Sequence, residues 1–280
     1  MSKNKILAIG HSVVDKIHIA DIIEIKPGGI YFSVKGFLSV ENKCDVSLLT
    51  EFTRENEKYF SPEYSNVKLV GDFYSKEMPV NHLFIYKDKE RDEIYEYVPT
   101  SLNLNKISNF NLFDAIYINM ISGFDVTLDD LKKLRSEFNG IIYLDIHTLS
   151  RGVFKNNTRK FRTIPEGIEW INNVDFVQAN EHEIKTLSDE FSFNQIVNRF
   201  FDEGGKAFIV TKGKNGIESY YKENNEIKFV RLKPNKISEK QCVGCGDFFG
   251  ANFICNFINT RNILQSLNIT LEKVTEFATN

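Results

Sequence analysis

The sequence contains little cysteine, little net charge and no long apolar run, and each absence argues against a class of protein. Four cysteines in 280 residues are too few for a disulfide scaffold of this size, so a reducing, cytoplasmic location is expected. The formal net charge of −3 gives no reason to expect binding to nucleic acid or to an anionic membrane. No apolar run is long enough to span a bilayer, and the first residues show no signal-peptide cleavage pattern.

Two of the cysteines, Cys242 and Cys245, are spaced as Cys-x-x-Cys. A zinc site would need a second pair of ligands, and in the sequence neither Cys44 nor Cys255 has a Cys or His nearby. A thioredoxin-like redox site would follow an early strand rather than lie near the end of a long chain. We therefore interpret the pair as small residues that fill a tight turn.

The alternation of short apolar runs with amphipathic segments predicts an α/β fold. With 42% hydrophobic and 26% charged residues, the chain is long enough for one large α/β domain or two small ones. Predicted buried strands lie at residues 6–10, 45–49, 115–118, 141–145, 175–178 and 207–211. Segments 128–138 and 193–201 have helical spacing of their apolar residues. This pattern predicts a doubly wound, mostly parallel sheet with helices on both faces and ligands at the carboxyl ends of its strands.

Two segments interrupt the alternation. Residues 16–29 carry five isoleucines and are predicted to form one or two short strands, and residues 82–98 are predicted to form a hairpin around a charged turn. Together they are predicted to form a small separate sheet, which would act as a lid. The alternative is an antiparallel extension at the edge of the main sheet, and the pattern alone does not decide between the two.

Near the C-terminus, Gly244-Cys245-Gly246-Asp247 opens an apolar, helix-like run. A turn of this kind directs several backbone N–H groups toward one point, at the positive end of a helix, where an anion is stabilised. The adjacent aspartate can accept a proton from an attacking hydroxyl group. An anion site beside a proton acceptor is what phosphoryl transfer to an alcohol requires.

Two predicted strand ends carry further candidates for phosphate binding. Thr211-x-Gly213-x-x-Gly216 lets a backbone approach a phosphate closely, or else forms an ordinary hairpin turn. Asn180 and Glu183 follow the preceding strand and suit hydrated Mg²⁺ near phosphates, or else form a capping-box-like helix start. The two interpretations stay open for each motif.

Candidates for substrate binding follow the first strand. Asp15 lies at the mouth of that strand, where its carboxylate can accept hydrogen bonds from substrate hydroxyls. Gly28 and Gly29 precede a predicted helix, and glycine there permits close approach of a ligand to the backbone.

The central strand ends in Asp145, with His147 and Arg151 shortly after it. An acid, a histidine and an arginine at this end of a parallel strand either line the ligand pocket or pair with one another. We select Asp145 and Arg151 as candidates for contact with substrate.

In their order along the chain, these motifs resemble those of the ribokinase-like (PfkB-type) carbohydrate kinases. The order is Gly-x-x-x-x-Asp after the first strand, a diglycine before a helix, Asn-x-x-Glu, Thr-x-Gly-x-x-Gly, and Gly-x-Gly-Asp opening a helix. The resemblance implies one domain over residues 1–280, with a β lid from about 16–29 and 82–98 that allows a homodimer. It also implies transfer of the γ-phosphoryl group of ATP, with Mg²⁺, to a hydroxyl of a sugar, sugar phosphate or nucleoside.

The resemblance further implies a role for each motif. Asp247 matches the catalytic base, and Gly244, Cys245 and Gly246 match the anion-hole turn. The other matched positions are Asn180 and Glu183 for Mg²⁺ and phosphate, with Glu183 acting through water; Thr211, Gly213 and Gly216 for the nucleotide; and Asp15, Gly28, Gly29 and Ser33 for the substrate.

Departures from the family pattern support an alternative function. Gln241 and Cys242 stand where the family commonly has Asp-Thr, and Ser33 stands where it usually has Asn. The chain also stops at Asn280, early for this family, so the adenine pocket is expected to be reduced. The alternative is a non-catalytic or weakly active regulatory protein that binds a sugar or nucleotide, whereas the retained Asp247 and its glycines favour the kinase.

Overall fold

The computed structural model describes residues 3–19, 21–41, 44–86, 92–234 and 243–279. Its strands are β1 (Lys5–Ile9), β2 (Ser12–Ile19), β3 (Ile22–Gly29), β4 (Asp45–Leu49), β5 (Lys68–Leu69), β6 (Val80–Phe84), β7 (Asp92–Tyr95), β8 (Ala115–Asn119), β9 (Ile141–Asp145), β10 (Arg151–Val153), β11 (Thr158–Phe161), β12 (Phe176–Asn180), β13 (Ala207–Thr211), β14 (Ile217–Glu223) and β15 (Glu226–Leu232). Its α-helices are α1 (Ile30–Leu38), α2 (Glu57–Tyr64), α3 (Leu128–Glu137), α4 (Gly167–Asn172), α5 (Phe193–Asp202), α6 (Cys245–Thr260) and α7 (Ile263–Thr279). Within the described ranges, no helix is long and apolar enough to cross a membrane.

The larger sheet has the strand order β15-β14-β13-β12-β9-β8-β1-β4-β5. All its neighbouring strands from β13 to β5 pair in parallel, whereas β14 and β15 are antiparallel additions at one edge. The predicted doubly wound, mostly parallel sheet is therefore confirmed. Strand β14 agrees with the hairpin alternative given for the segment after Thr211, whereas β15 was not predicted.

Two apolar layers cover the larger sheet because successive side chains of each strand point to opposite faces. In β8, Ala115 and Tyr117 pack on the side of α1, α2, α6 and α7, whereas Ile116 and Ile118 pack on the side of α3, α4 and α5. The continuous apolar runs of the strands therefore reflect burial on both faces.

The smaller sheet has the strand order β10-β11-β7-β6-β2-β3 and shares no strand with the larger sheet. The predicted separate sheet is thus confirmed among the described residues, and its interpretation as an extension of the main sheet is wrong. Segments 16–29 and 82–98 supply most of it, although β2 already begins at Ser12 and residues 87–91 of the charged turn lie outside the described ranges. The hairpin β10–β11, which pairs with β7, was not predicted.

Polar side chains converge where the parallel strands end. The register pairs Asn119 of β8 with Asp145 of β9, and Asp145 with Gln178 of β12. Asn180, the last residue of β12, pairs with Thr211, the last residue of β13. The carboxyl ends of neighbouring parallel strands thus place these side chains along one edge of the sheet, where ligands bind in folds of this type.

Two of the cysteines are buried neighbours despite their separation in the sequence. Cys44 Sγ lies 3.9 Å from the Cys255 carbonyl oxygen, and Asn259 Nδ2 lies 3.8 Å from Cys44 Sγ. Neither of these two thiols forms a disulfide, and Cys242 lies outside the described residues.

Candidate active site

Helix α6 begins at a turn that requires glycine. Gly244 has a φ of +82°, and a Cβ atom there would lie 2.1 Å from the Phe32 ring. Asp247 is the third residue of the helix and is 5% exposed. The N–H groups in the first turn of a helix have no acceptor within the helix, and the helix dipole adds partial positive charge there. The start of α6 therefore places partial positive charge beside a carboxylate.

The Asp247 carboxylate is positioned by side chains from the ends of β8 and β9. Asn119 Nδ2 donates a hydrogen bond to Asp247 Oδ1 at 2.8 Å, and it lies 3.1 Å from Ser33 Oγ. Tyr117 donates its hydroxyl hydrogen to the Asp247 carbonyl oxygen at 3.3 Å. His147 Nε2 lies 3.6 Å from Asp247 Oδ1. The carboxylate is therefore held in one orientation by groups on the larger sheet.

A second polar layer supports the first turn of α6. Gln178 Nε2 donates to the Gly246 carbonyl oxygen at 3.0 Å and to Asp145 Oδ2 at 2.5 Å. Tyr143 donates its hydroxyl hydrogen to Gln178 Oε1 at 2.7 Å. These contacts connect the helix start rigidly to β9 and β12.

Three carboxyl groups, those of Asp145, Glu183 and Asp247, interact near the ends of β9 and β12. Burial raises the pKa of Asp145 well above its ordinary range, and the charges of Glu183 and Asp247 raise that pKa further. Carboxylate oxygens suit Mg²⁺, which keeps most of its water ligands. Across the described part of the chain, no three His, Cys, Asp or Glu side chains lie close enough to hold a metal together. A Mg²⁺ ion held through its own water ligands would not need such a cluster, and Glu183 stays the predicted contact.

Asn180 and Glu183 cap each other. The N–H and Nδ2 groups of Asn180 donate to Glu183 Oε2 and Oε1 at 2.8 and 2.7 Å, and the Glu183 N–H donates to Asn180 Oδ1 at 2.9 Å. The capping-box-like interpretation of these two residues is thus confirmed. A carboxylate has about four acceptor sites, so the cap does not exclude a contact between Glu183 and metal-bound water.

The two glycines that follow Thr211 have different surroundings. The segment turns from β13 into antiparallel β14, as the hairpin interpretation predicted. Gly213 has a φ of +52°, and no described atom lies within 4 Å of the place where its Cβ would stand. Gly216 has a φ of +86°, and a Cβ there would lie 2.0 Å from the Leu232 carbonyl oxygen. Gly213 therefore leaves an accessible stretch of backbone beside Thr211, whereas Gly216 is required for packing.

A cleft lies between the start of α6 and the inner face of the smaller sheet. It holds about 450 Å³ of empty space, part of it open to solvent. The polar side chains in its wall belong to Asp15, Asn81, Glu93, Tyr95, His147, Thr148 and Asp247. The structure thus brings four predicted site residues, Asp15, Gly29, Gly244 and Asp247, to the same cleft.

The diglycine serves mainly to accommodate Asp15. A Cβ at Gly28 would lie 2.0 Å from Asp15 Oδ2, so a larger residue would displace this carboxylate. Gly29, with a φ of +66°, lines the cleft, and a Cβ there would lie 2.5 Å from the His11 carbonyl oxygen. Close approach of neighbouring protein atoms therefore explains both glycines, in addition to the predicted approach of a ligand.

Three predicted substrate contacts are placed behind the cleft wall. Ser33 is fully buried and its Oγ lies 3.3 Å from the Tyr117 hydroxyl. Arg151, in β10, stacks on the Phe161 ring at 4.1 Å, and its Nε lies 3.6 Å from Glu93 Oε1. Asp145 is likewise buried, beneath Gln178. Each of these three side chains contacts a residue at or near the cleft, and none of them lines the cleft itself.

Several residues of the site were not selected from the sequence. Asn119 stands at the end of a predicted strand, as Asp145 does, so the same criterion would have found it. His147 was noted after the central strand but not selected. Asn81 and Glu93 carry no such signal, because the face on which a strand residue lies depends on pairing that the sequence does not specify.

Comparisons with known proteins identify one matching family profile and several solved structures with a similar fold. The pfkB family carbohydrate kinase profile matches residues 149–279. A pyrophosphate-dependent kinase in the ribokinase family, solved with a pyrophosphate analog and myo-inositol, is 16% identical with a TM-score of 0.76, and the match covers 96% of this chain and 93% of that one. Ribokinase from Thermotoga maritima is 15% identical with a TM-score of 0.73, covering 100% and 94%. Ribokinase from Arabidopsis thaliana, solved with ribose and ATP, is 13% identical with a TM-score of 0.67, covering 97% and 91%.

No curated protein matches the chain. At the identities of the solved structures, the likeness shows the fold alone, and that fold is ribokinase-like. The resemblance that the motifs predicted is thereby confirmed, since the profile match includes the segment that carries Asn180, Thr211 and Asp247.

Proposed function

We propose that this chain, with its ribokinase-like fold and its match to PfkB-type carbohydrate kinases, transfers the γ-phosphoryl group of ATP to a hydroxyl of a sugar-like small molecule. The position of Asp247 carries the proposal. Its carboxylate lies at the start of α6, accepts a hydrogen bond from Asn119 and lines the cleft beneath the smaller sheet. The retained base and its ordered support argue for catalysis, and no observation on the described residues favours the non-catalytic alternative.

In the proposed mechanism, Asp247 accepts the proton of the acceptor hydroxyl while that oxygen attacks phosphorus. Asn119 keeps Oδ1 oriented, so no reorganisation is needed during the reaction. The amides of residues 244–246, at the N-terminus of α6, stabilise charge on the transferring group. His147, 3.6 Å from the same oxygen, lies where it contacts either the carboxylate or the acceptor.

The proposed donor site lies along the ends of β12 and β13. Thr211 and the open backbone at Gly213 lie beside Asn180, which is paired with Thr211 in the sheet. Glu183 would hold Mg²⁺ through water beside these strand ends. When bound, the ion would neutralise part of the charge of the donor phosphates.

The smaller sheet acts as a lid in this proposal, and its edge strand pairs with a second copy of the chain. Strand β3 is that edge, and Ile22, Ile23 and Ile25 on it are 63%, 58% and 48% exposed. An exposed apolar edge strand is a template for pairing with another strand. An identical β3, related by a two-fold axis, offers the same apolar side chains and unpaired backbone groups.

Donor consumption measured across sugars, sugar phosphates, polyols and nucleosides tests the function. Each acceptor is combined with ATP and, separately, with pyrophosphate, in Mg²⁺ and after chelation. We expect acceptor-dependent release of ADP that requires the metal. Turnover only with pyrophosphate would overturn the donor assignment, and absence of acceptor-dependent turnover with either donor would overturn the proposed reaction.

A further inference from the structure

The inner face of the lid is defined by the register of three strands. Asp15 of β2 lies opposite Asn81 of β6, and Glu93 of β7 lies opposite Leu83, two residues beyond Asn81. Since alternate residues share a face, these three polar side chains lie side by side on the cleft face. All three line the cleft, and they are 7%, 6% and 1% exposed.

Asn81 shows that this surface requires a further hydrogen-bond donor. Its Oδ1 atom is buried and has no hydrogen-bond partner among the described residues. A buried amide oxygen without a partner is costly, and such atoms in native proteins are usually satisfied by a ligand or water. A hydroxyl group in the cleft would supply the missing donor.

The neighbours of Asn81 favour the same kind of ligand group. Carboxylate oxygens accept hydrogen bonds and have up to four acceptor sites each, so Asp15 and Glu93 can accept from several hydroxyls alongside their other contacts. Arg151, 3.6 Å from Glu93 Oε1, belongs to β10 at the far edge of the lid sheet rather than to the cleft wall. Arg159 of β11 lies opposite Glu93 in the sheet, so the two arginines offset the charge of Glu93. Among the described wall residues there is no lysine or arginine, so the wall itself offers no cation to a phosphate.

We infer that the lid surface of Asp15, Asn81 and Glu93 selects an uncharged polyhydroxyl acceptor and rejects acceptors that carry a phosphate. Neighbouring hydroxyls of the ligand donate to these three side chains, and the hydroxyl to be phosphorylated faces Asp247. A phosphate already on the acceptor would find no cation in the described wall and would be repelled by the carboxylates of Asp15 and Asp247. This inference rests on the proposed function, since it names the acceptor class of the same site.

Calorimetric titration without any phosphoryl donor tests the inference separately from the reaction. The probes are fructose, glucose, mannitol and arabinose, each beside its own monophosphate. We expect at least one uncharged member to bind, and its monophosphate to bind roughly 100-fold more weakly or not at all. Equal or tighter binding of the monophosphate, or no binding by any uncharged member, would overturn the inference. Selective binding without turnover would overturn only the proposed kinase reaction.

Two variants and one matched control locate the selectivity. Asn81→Leu removes the acceptor that lacks a partner, and Glu93→Gln removes one negative charge, so each should weaken binding of the polyol roughly 10-fold. Glu93→Gln should also reduce the difference in binding affinity between the polyol and its monophosphate. Glu96→Gln is the control, because Glu96 contacts His82 and Lys16, whose strand positions alternate with those of the cleft face.

Thermal melts show whether each variant is folded. If Glu93→Gln fails to fold, Asn81→Leu still tests the surface. Unchanged selectivity and affinity in a folded Asn81→Leu protein, or an equal loss in Glu96→Gln, would contradict the assignment.

Discussion

Asp145 is the residue whose ionisation the structure ties most clearly to stability. Its buried position raises its pKa in the folded protein, whereas an aspartate in an unfolded chain titrates near about 3.9. The folded state therefore holds the proton more tightly. The contribution of Asp145 to the free energy of unfolding is fully present below about pH 3.9, and it is lost as the pH rises through the folded-state pKa. We expect Asp145→Asn, measured without metal, to raise the melting temperature at pH 7 by a few degrees.

Asp125→Asn is the matched control, with the opposite sign. Burial opposes ionisation of Asp125, but the neighbouring His11 and backbone N–H groups lower its pKa overall. Its contribution is therefore present above the unfolded pKa and is lost as the pH falls. Melts from pH 4 to pH 8 should show Asp145→Asn stabilising and Asp125→Asn destabilising at neutral pH, with both differences shrinking in acid. A lower neutral melting temperature for Asp145→Asn would contradict the charge argument.

At the scale of single residues, site residues at the ends of buried strands can be predicted from the sequence, whereas those on the lid cannot. Asp145 and Thr211 could be selected because apolar runs locate the carboxyl ends of strands. Asn81 could not, because only the pairing of β2 with β6 turns it toward the cleft. Ser33 was selected by resemblance, and the structure places it behind Asn119, where it supports the base indirectly.

At the scale of elements, Gly244 and Gly246 at the start of α6 are predicted to have different functions. Gly244→Ala introduces a Cβ 2.1 Å from the Phe32 ring at a φ of +82°, so we expect a lower melting temperature and a lower kcat together. At Gly246 the nearest atom to a new Cβ is Gln178 Nε2 at 3.7 Å, an ordinary contact. Gly246→Ala should therefore keep the melting temperature but lower kcat roughly 10-fold, because the methyl group crowds the transferring phosphoryl group.

Steady-state kinetics and thermal melts on both variants check this pair. A Gly246→Ala protein with unchanged kcat would show that no ligand approaches this backbone. A Gly244→Ala protein as stable as the parent would show that the turn does not need its left-handed conformation.

Elements were predictable where local pattern decides them. Helix α3 begins at Leu128 and α5 at Phe193, as their apolar spacing indicated. The hairpin β10–β11 was not predicted because its strands are short and its sequence is rich in charged residues. The guanidinium group of Arg159 is nonetheless buried, and it donates hydrogen bonds to the carbonyl oxygens of Ser122 and Arg151. Burial of that charge depends on tertiary contacts that no local pattern shows.

At the scale of the whole molecule, the proposed pairing of lids predicts a dimer in solution. The double variant Ile23→Lys, Ile25→Lys places two positive charges in the edge strand. It should therefore be monomeric at concentrations where the parent is dimeric. Sedimentation velocity over a range of concentrations measures this.

Ile227→Lys is the control for the lid edge. Ile227 is 43% exposed on β15, the edge strand of the larger sheet. It should leave the dimer intact. A parent that is monomeric throughout, or a dimer lost with Ile227→Lys but kept in the lid variant, would contradict pairing through β3.

The account as a whole depends on Asp247 acting as the proton acceptor, and a matched pair of substitutions tests it. Asp247 and Asp130 are each the third residue of a helix, α6 and α3. Asp130 forms a capping box with Thr127, which is the role that Asp247 would have if it were only a helix cap. Each is replaced by Asn, which is nearly isosteric and caps helices about as well.

The decisive measurement is steady-state turnover of the parent, Asp247→Asn and Asp130→Asn on the best acceptor, with thermal melts as the folding control. The account predicts that Asp247→Asn stays folded and loses roughly 10²–10⁴-fold in kcat, the usual contribution of a positioned general base. Asp130→Asn should keep its kcat. Turnover of Asp247→Asn within a few-fold of the parent would contradict the account.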